Sequence, residues 1–259
     1  MKNLISEVLK HEVYPAMGCT EPVAVAFAAA TAASLLKGRV TAVAIKTDPG
    51  TYKNGLAVAI PNTRGEKGNL LAAAIGAVVR RPELGAELFK GLPRARLKEA
   101  AALLAAGRAR MEADYARRGI YISVEVRSGR SRALCVLEGS HKQVALLKLN
   151  GKTVLKAGAA GKKGRLPYKE LLRKATFRDL FRAAEKVSPA ELVYIKKGVE
   201  MNLAAAREGL KLKKVGYYIE DLIKKGYLKR DILSDAKLTT AAATHARMAG
   251  APVPVMSSG

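Results

Sequence analysis

Cys19 is the residue with the most chemistry in its surroundings. It lies in the stretch PAMGCTEP, residues 15–22, and a run of small apolar residues follows at 23–36. Thr20 can cap a helix starting there, and Glu21 and Pro22 suit its first turn. The positive end of a helix dipole favours a thiolate, the form in which cysteine attacks carbon or binds metal. A small residue in a turn would give the same local pattern.

Three further groups carry candidate chemistry. In TYKNG, residues 51–55, Lys53 and Asn54 combine a cation and an amide that could hold a carboxylate. Gly55 would let backbone approach a ligand. The alternative is a solvated turn after a strand. Ser140 and His141 follow a strand-like run. His141 could take an α-proton or polarise a substrate, because an imidazole titrates near neutrality; a structural histidine is the alternative. Asn202 lies beside an apolar helical face, where a side-chain amide needs a partner. That partner is either substrate or another helix. Cys135, between Leu134 and Val136, reads as packed core, and His11 and His245 read as structural.

The elements that must position these residues follow from periodicity and punctuation. Residues 2–13 carry a helical stripe of Leu4, Ile5, Val8, Leu9 and Val13. A helix is expected over 21–37 and a strand over 39–47. The loop 48–55 then leads to a second apolar run at 56–60, which Pro61 stops. Asn69 is expected to cap a helix of small residues at 70–79, and residues 94–118 to form one charged, Ala-rich helix ended by Gly119. Strand-like runs follow at 120–127, 132–137, 143–149 and 152–156, with turns at Ser128-Gly129-Arg130 and Asn150-Gly151. After these the chain turns helical. Ser188, Pro189 and Glu191 make a capping box, and the helix they open carries Leu192, Ile195, Val199, Leu203, Ala206 and Leu210 on one face. The expected fold class is α+β: an antiparallel sheet from 39–60 and 120–156 flanked by helices, followed by a mainly helical region. The domain organisation is 1–157, a Gly/Lys-rich linker at 158–175, and a helical region at 176–259.

Bulk composition narrows the function classes. The 259 residues, 49% hydrophobic, can build a proper core. No apolar run is long enough to span a bilayer, and residues 1–7 hold no signal-peptide core. A cytoplasmic protein is expected, without membrane partners. Two cysteines cannot form a disulfide framework. The charge of +24, from 46 basic and 22 acidic residues, favours anionic partners. Yet the basic residues are dispersed, aromatic residues make up 5% and no Trp is present, so there is little with which to stack bases. Specific nucleic-acid recognition is not expected. A basic nucleic-acid- or ribosome-associated protein is the alternative function.

Five stretches taken in order resemble one family. They are EVYPAMGCTEP at 12–22, DPGTYKNG at 48–55, EGSH at 138–141, KGVEMN at 197–202, and TAAA, ARM and PVMS between 240 and 257. Together they resemble the L-cysteine desulfidases and related proteins with a serine-dehydratase-like alpha domain, the UPF0597 type included. The resemblance implies a lyase that releases sulfide from L-cysteine, or water from L-serine, leaving pyruvate and ammonia. It also implies a 4Fe–4S cluster held by three cysteines with one iron open to substrate. Carried onto this chain, it makes Cys19 a cluster ligand, Lys53, Asn54, Ser140 and Asn202 substrate contacts, and His141 the acid/base group.

The family's members are longer, and their remaining cluster cysteines are expected in a C-terminal part that this chain lacks. Such a chain is not expected to complete a cluster alone. The leading expectation is that residues 1–259 are a fragment of a longer gene product, with region 176–259 truncated; a second subunit carrying the missing cysteines, a homo-oligomer, or an inert partner subunit are the alternatives.

Overall fold

A computed structural model describes residues 3–156 and 167–258. The elements in order are α1 (Leu4–Glu12), β1 (Val13–Ala16), α2 (Thr20–Ser34), β2 (Ala42–Thr47), α3 (Pro49–Gly55) and α4 (Asn69–Val79). A 3-10 turn (Pro82–Glu87) precedes α5 (Arg94–Ala105), β3 (Ala109–Ala113), β4 (Tyr121–Ser128), β5 (Ser131–Glu138), β6 (Val144–Leu149) and β7 (Lys152–Lys156). Then come α6 (Pro167–Lys174), α7 (Phe177–Ala184), α8 (Pro189–Leu210), α9 (Val215–Lys224), α10 (Ile232–Met248) and β8 (Val255–Ser258). The fold class is α+β. Helix α6 occupies the end of the expected linker, and residues 157–166 lie outside the described residues.

The main sheet runs β3-β2-β4-β5-β6-β7. It is mixed, because β3 pairs with β2 in parallel while the other pairs are antiparallel. The expected 94–118 helix therefore divides. Its helix ends near Gly107, whose φ of 63° suits glycine, and Ala109–Ala113 pairs at the sheet edge. The apolar run at 56–60 makes only a single bridge, Ala59 to Lys67, between turns that Pro61 and the positive-φ Asn62 and Gly65 impose.

Alternation decides which sheet face is covered. Ile122, Val124 and Val126 of β4 point inward and are fully buried, whereas Arg127 on the opposite face is exposed. Helices α2 and α4 pack on the inward face. Small residues permit this: Val25, Ala26, Ala28 and Ala29 of α2 are fully buried, and a Cβ on Gly76 of α4 would lie 2.1 Å from the carbonyl oxygen of Ala26. The two backbones touch where other residues would hold them apart.

The helical region rests on a second, two-stranded sheet in which β1 and β8 pair antiparallel, Tyr14 opposite Ser257 and Ala16 opposite Val255. Tyr194 Oη donates to the Val13 carbonyl at 2.8 Å. Lys169 pairs with Glu12 at 2.8 Å, and Tyr168 donates to the same carboxylate. The strand just before Cys19 is thus held by the C-terminal helices. Of the stripe expected on one face of α8, only Ala206 is buried. Gly198, Ala205 and Gly209 are buried, while Leu192, Ile195, Val199 and Leu203 are exposed. A Cβ on Gly209 would lie 1.8 Å from the Ala242 carbonyl oxygen, so α8 turns its smallest face to α10.

Candidate functional site

The Cys19 turn is fixed from both sides. The Met17 amide donates to the Ala86 carbonyl at 3.0 Å. Gly18 has φ 92°, and a Cβ there would stand 3.0 Å from Pro61 Cγ. Glycine is required at that position by conformation and by space. Cys19 itself is the N-cap of α2, with extended backbone and no side-chain capping bond. The expected cap, Thr20, is the first helical residue, and its hydroxyl donates to Glu21 Oε2 at 3.1 Å.

Cys19 is partly buried. Burial pushes its thiol above the ordinary range; the charge of Arg247 pulls the other way and Glu21 adds a further push. The expected thiolate is therefore a protonated thiol at neutral pH, because loss of hydration outweighs the positive charge nearby.

Residues 48–55 form a capped helix and not a loop. Asp48, buried, accepts from the Thr51 amide at 2.9 Å, the Thr51 hydroxyl at 2.7 Å and the Tyr121 amide at 3.0 Å. Burial alone would raise its carboxyl; the bonds from Thr51, Tyr121 and Gly50 outweigh it and hold the carboxyl below its usual value. This cap anchors α3 to β4. Asn54 then donates to Glu21 Oε1 at 3.0 Å, tying α3 to the start of α2. Lys53 is exposed. Gly55 makes room for protein and not for a ligand: its Cβ would fall 2.1 Å from the Asn69 side chain. Asn69, buried in the first turn of α4, does not cap that helix but donates to the Thr51 carbonyl at 2.9 Å.

His141 follows β5 and faces the same helix start. It lines a small apolar cavity of about 110 Å³ with Tyr14, Thr20, Phe27 and Lys142. Burial lowers the imidazole pKa, against the carboxylates of Glu21 and Asp48, so His141 is neutral at neutral pH and free to accept a proton. Ser140 is partly buried, and its hydroxyl accepts from the Lys142 amide at 3.4 Å. The Lys142 ammonium lies over the Tyr14 ring, and burial lowers its pKa to about 8.

Asn202 uses both ends of its amide on β8. Nδ2 donates to the Met256 carbonyl at 3.2 Å and Oδ1 accepts from the Met256 amide at 2.8 Å. Cys19, Asn54 and His141 are thus brought to one helix start, with Lys53 at its edge, whereas Asn202 serves the strand beside it. Tyr14, Glu21, Lys142 and Arg247 also belong to this neighbourhood and were not read as site residues from sequence. For Arg247 the available signal was the ARM stretch at 246–248, which belongs to the family resemblance.

The chain is most informative when set beside known proteins. Its relatives are UPF0597 proteins. The UPF0597 protein of Geobacter sulfurreducens is 44% identical over 258 residues, covering 99% of this chain and 60% of that relative. The one from Elusimicrobium minutum is 46% identical over 257 residues, with the same coverage of 99% and 60%. That of Desulforapulum autotrophicum is 36% identical over 269 residues, 100% of this chain and 61% of that relative. The chain therefore spans about 60% of the length of these UPF0597 relatives. No family model matches the chain, and no solved structure matches it.

The residues present do not fit a cluster held by three cysteines. The sequence has two. Cys135 is wholly buried in β5, and burial pushes its thiol pKa up to about 12, which disfavours the thiolate a metal requires. Among the described residues no group of three or more His, Cys, Asp or Glu side chains could hold a metal ion. No described helix is long and apolar enough to cross a membrane.

Proposed function

We propose that this chain carries part of the active site of a lyase acting on a small β-substituted amino acid, L-cysteine or L-serine. The observation that carries this reading is the neutral, cavity-lining His141 beside the Glu21–Asn54 pair at the Cys19 helix start. A neutral imidazole next to a carboxylate that can hold the substrate ammonium is what α-proton removal requires.

In the proposed reaction an imidazole nitrogen of His141 accepts the Cα proton. The electron pair forms the Cα–Cβ double bond as the Cβ–S bond breaks and sulfide departs. The resulting aminoacrylate tautomerises to an imine, which water hydrolyses to pyruvate and ammonia. With serine the Cβ–O bond breaks instead. Glu21, held by Asn54 and Thr20, orients the ammonium. Cys19 is proposed as one ligand of a 4Fe–4S cluster whose other thiolates lie outside these 259 residues. The reaction is placed in the cytoplasm, where thiols stay reduced.

Exposed apolar side chains in the helical region, among them Phe177 and Ile232 at 82% and 85% exposure, support a covering element outside these residues, on the same polypeptide or on another. The test is anaerobic assay of the full-length Geobacter relative, supplied with iron and sulfide, for pyruvate from L-cysteine and L-serine. The reading predicts pyruvate that is lost on replacing the residue aligned with His141. Absence of pyruvate from every β-substituted amino acid tried would overturn it. The isolated chain, reconstituted in the same way, is expected to give no stable 4Fe–4S absorbance.

A further inference from the structure

Apolar side chains wall the cavity beside His141: Val23 and Phe27 of α2 and Ala86 of the 3-10 turn. Tyr14, Thr20, His141 and Lys142 bring polar groups to it. The Thr20 hydroxyl already donates to Glu21 Oε2 at 3.1 Å. The volume is about 110 Å³. At the ~30 Å³ a water takes in the liquid, that is room for roughly three or four non-hydrogen atoms. Nucleotides and other large ligands are excluded, because their pockets run to about 300–1,000 Å³. The turn that carries His141 and Lys142 is closed on itself. The Glu138 amide donates to the Gln143 carbonyl at 3.4 Å, and the Lys142 amide to Ser140 Oγ at 3.4 Å.

Lys142 stands at this cavity as a cation without an anion. Its ammonium lies over the ring of Tyr14, which lines the same space. Among the described residues no carboxylate is within ion-pair reach of it. Glu12 acts on it only at longer range, and Glu12 already pairs with Lys169 at 2.8 Å and accepts from Tyr168. The residue is exposed overall, as a group at a cavity mouth must be, yet enough water is lost to lower its pKa to about 8. A ring face replaces part of that hydration but accepts none of the three N–H donors in the way a carboxylate does. The cavity therefore has an apolar interior and one cation at its edge.

We infer that this cavity binds a short aliphatic carboxylate, its apolar end against Val23, Phe27 and Ala86 and its carboxylate on Lys142. Size, wall and charge each select that class: few atoms, a hydrocarbon end, one negative group. The identity of the carboxylate as that of the amino-acid substrate rests on the lyase reading above; the chemistry of the pocket does not. Lys142 then takes the role expected of Lys53 and Asn54. Lys53 does not line this cavity, and Asn54 already donates to Glu21.

The test needs neither cluster nor turnover. The chain has three histidines, so imidazole NMR signals, assigned by replacing His11 and His245, report on His141. Propanoate is expected to shift the His141 signals saturably, and propanamide to leave them in place. Affinity should rise about fourfold per added CH₂ from acetate to butanoate and stop rising at hexanoate, which overfills the space. Lys142→Met should weaken propanoate about tenfold or more, the scale of a charge-assisted bond. Lys142→Arg should keep most of the affinity, and Lys53→Gln all of it. Undiminished affinity in folded Lys142→Met, or an equal loss in Lys53→Gln, overturns the assignment. If Lys142→Met does not fold, the wild-type chain decides: equal responses to propanoate and propanamide, or no gain with chain length, overturn it. L-Cysteine and L-serine separate the two readings. Lys142-dependent binding of propanoate with none of either amino acid keeps the carboxylate pocket and removes the amino-acid substrate. Binding of L-serine that survives Lys142→Met keeps the substrate and removes Lys142.

Discussion

Two helix pairs in this molecule are built on the same device and end differently. In α2–α4, Gly76 meets the carbonyl of Ala26; in α8–α10, Gly209 meets the carbonyl of Ala242. Both pairs bring backbones into contact by removing side chains from the seam. The first pair is then roofed by the sheet and by α5, and its large side chains, Ile75 and Val78 among them, are buried. The second buries Leu238 of α10 but leaves several large side chains of α8 on the outside. Leu192 and Val199 are 55% and 53% exposed. A glycine seam fixes how two helices approach, but stability comes from what covers the remaining faces. The α2–α4 body is a finished core, whereas α8–α10 is a seam with uncovered flanks.

The largest effect is expected where the first pair is covered. Ile75→Ala removes a fully buried side chain and should cost about 2–5 kcal/mol in denaturant unfolding. A cost below about 1 kcal/mol would mean that α4 is not in a close-packed core.

The two glycines offer the direct comparison. Gly76→Ala puts a Cβ into the Ala26 carbonyl with the sheet behind it, and overpacking of this kind costs about 1–3 kcal/mol. Gly209→Ala makes an even closer clash, but α8 can move outward because its Leu192 and Val199 flank is exposed. Its loss should appear as faster amide exchange within α8 and α10, with a smaller shift in the global midpoint. Equal global shifts would erase the distinction between the two pairs.

Much of this was legible in the sequence and some was not, for identifiable reasons. Strand β4 follows alternation, and β6 and β7 are joined by the Asn150-Gly151 turn, whose residues have φ of 49° and 85°. The capping box at Ser188 marks a helix start by local chemistry alone. Periodicity failed on α8 because a stripe of large apolar residues and a stripe of glycine and alanine coexist on one helix. Which of them is buried depends on the partner, not on hydrophobicity. It failed on β3 because Ala109–Ala113, although it alternates apolar with charged residues, is only five residues long and follows directly on an alanine-rich helix. At the site, Cys19 and His141 stood out by residue type. Glu21 acquires meaning only when α3 is folded against the start of α2.

Caps extend the comparison to local energetics. Asp48 in the covered body serves three donors, whereas the Ser188 hydroxyl serves one amide at the exposed start of α8. Asp48→Ala should cost about 2 kcal/mol and Ser188→Ala about 1 kcal/mol, the upper and middle of the range for N-caps. The Asp48 carboxyl is held below its ordinary value, so its contribution is complete above the unfolded-state pKa and is lost as pH falls through the folded one. Acid titration of stability should therefore converge for wild type and Asp48→Asn at low pH. A gap that persists at the lowest pH would place the contribution in packing and not in charge.

The smallest effect belongs to the uncovered flank. Leu192→Ser and Ile232→Ser remove side chains that are 55% and 85% exposed, and surface changes of this kind fall within about 0.5 kcal/mol. The comparison is sharpened by what else they change. If those side chains await a partner polypeptide, the double variant should leave the unfolding midpoint of the isolated chain unaltered while reducing its tendency to self-associate, measured by light scattering across protein concentration. A midpoint lowered by as much as in Ile75→Ala would show that α8 and α10 already bury these residues against one another. The two helix pairs would then be equally finished, and their glycine seams would differ in position alone.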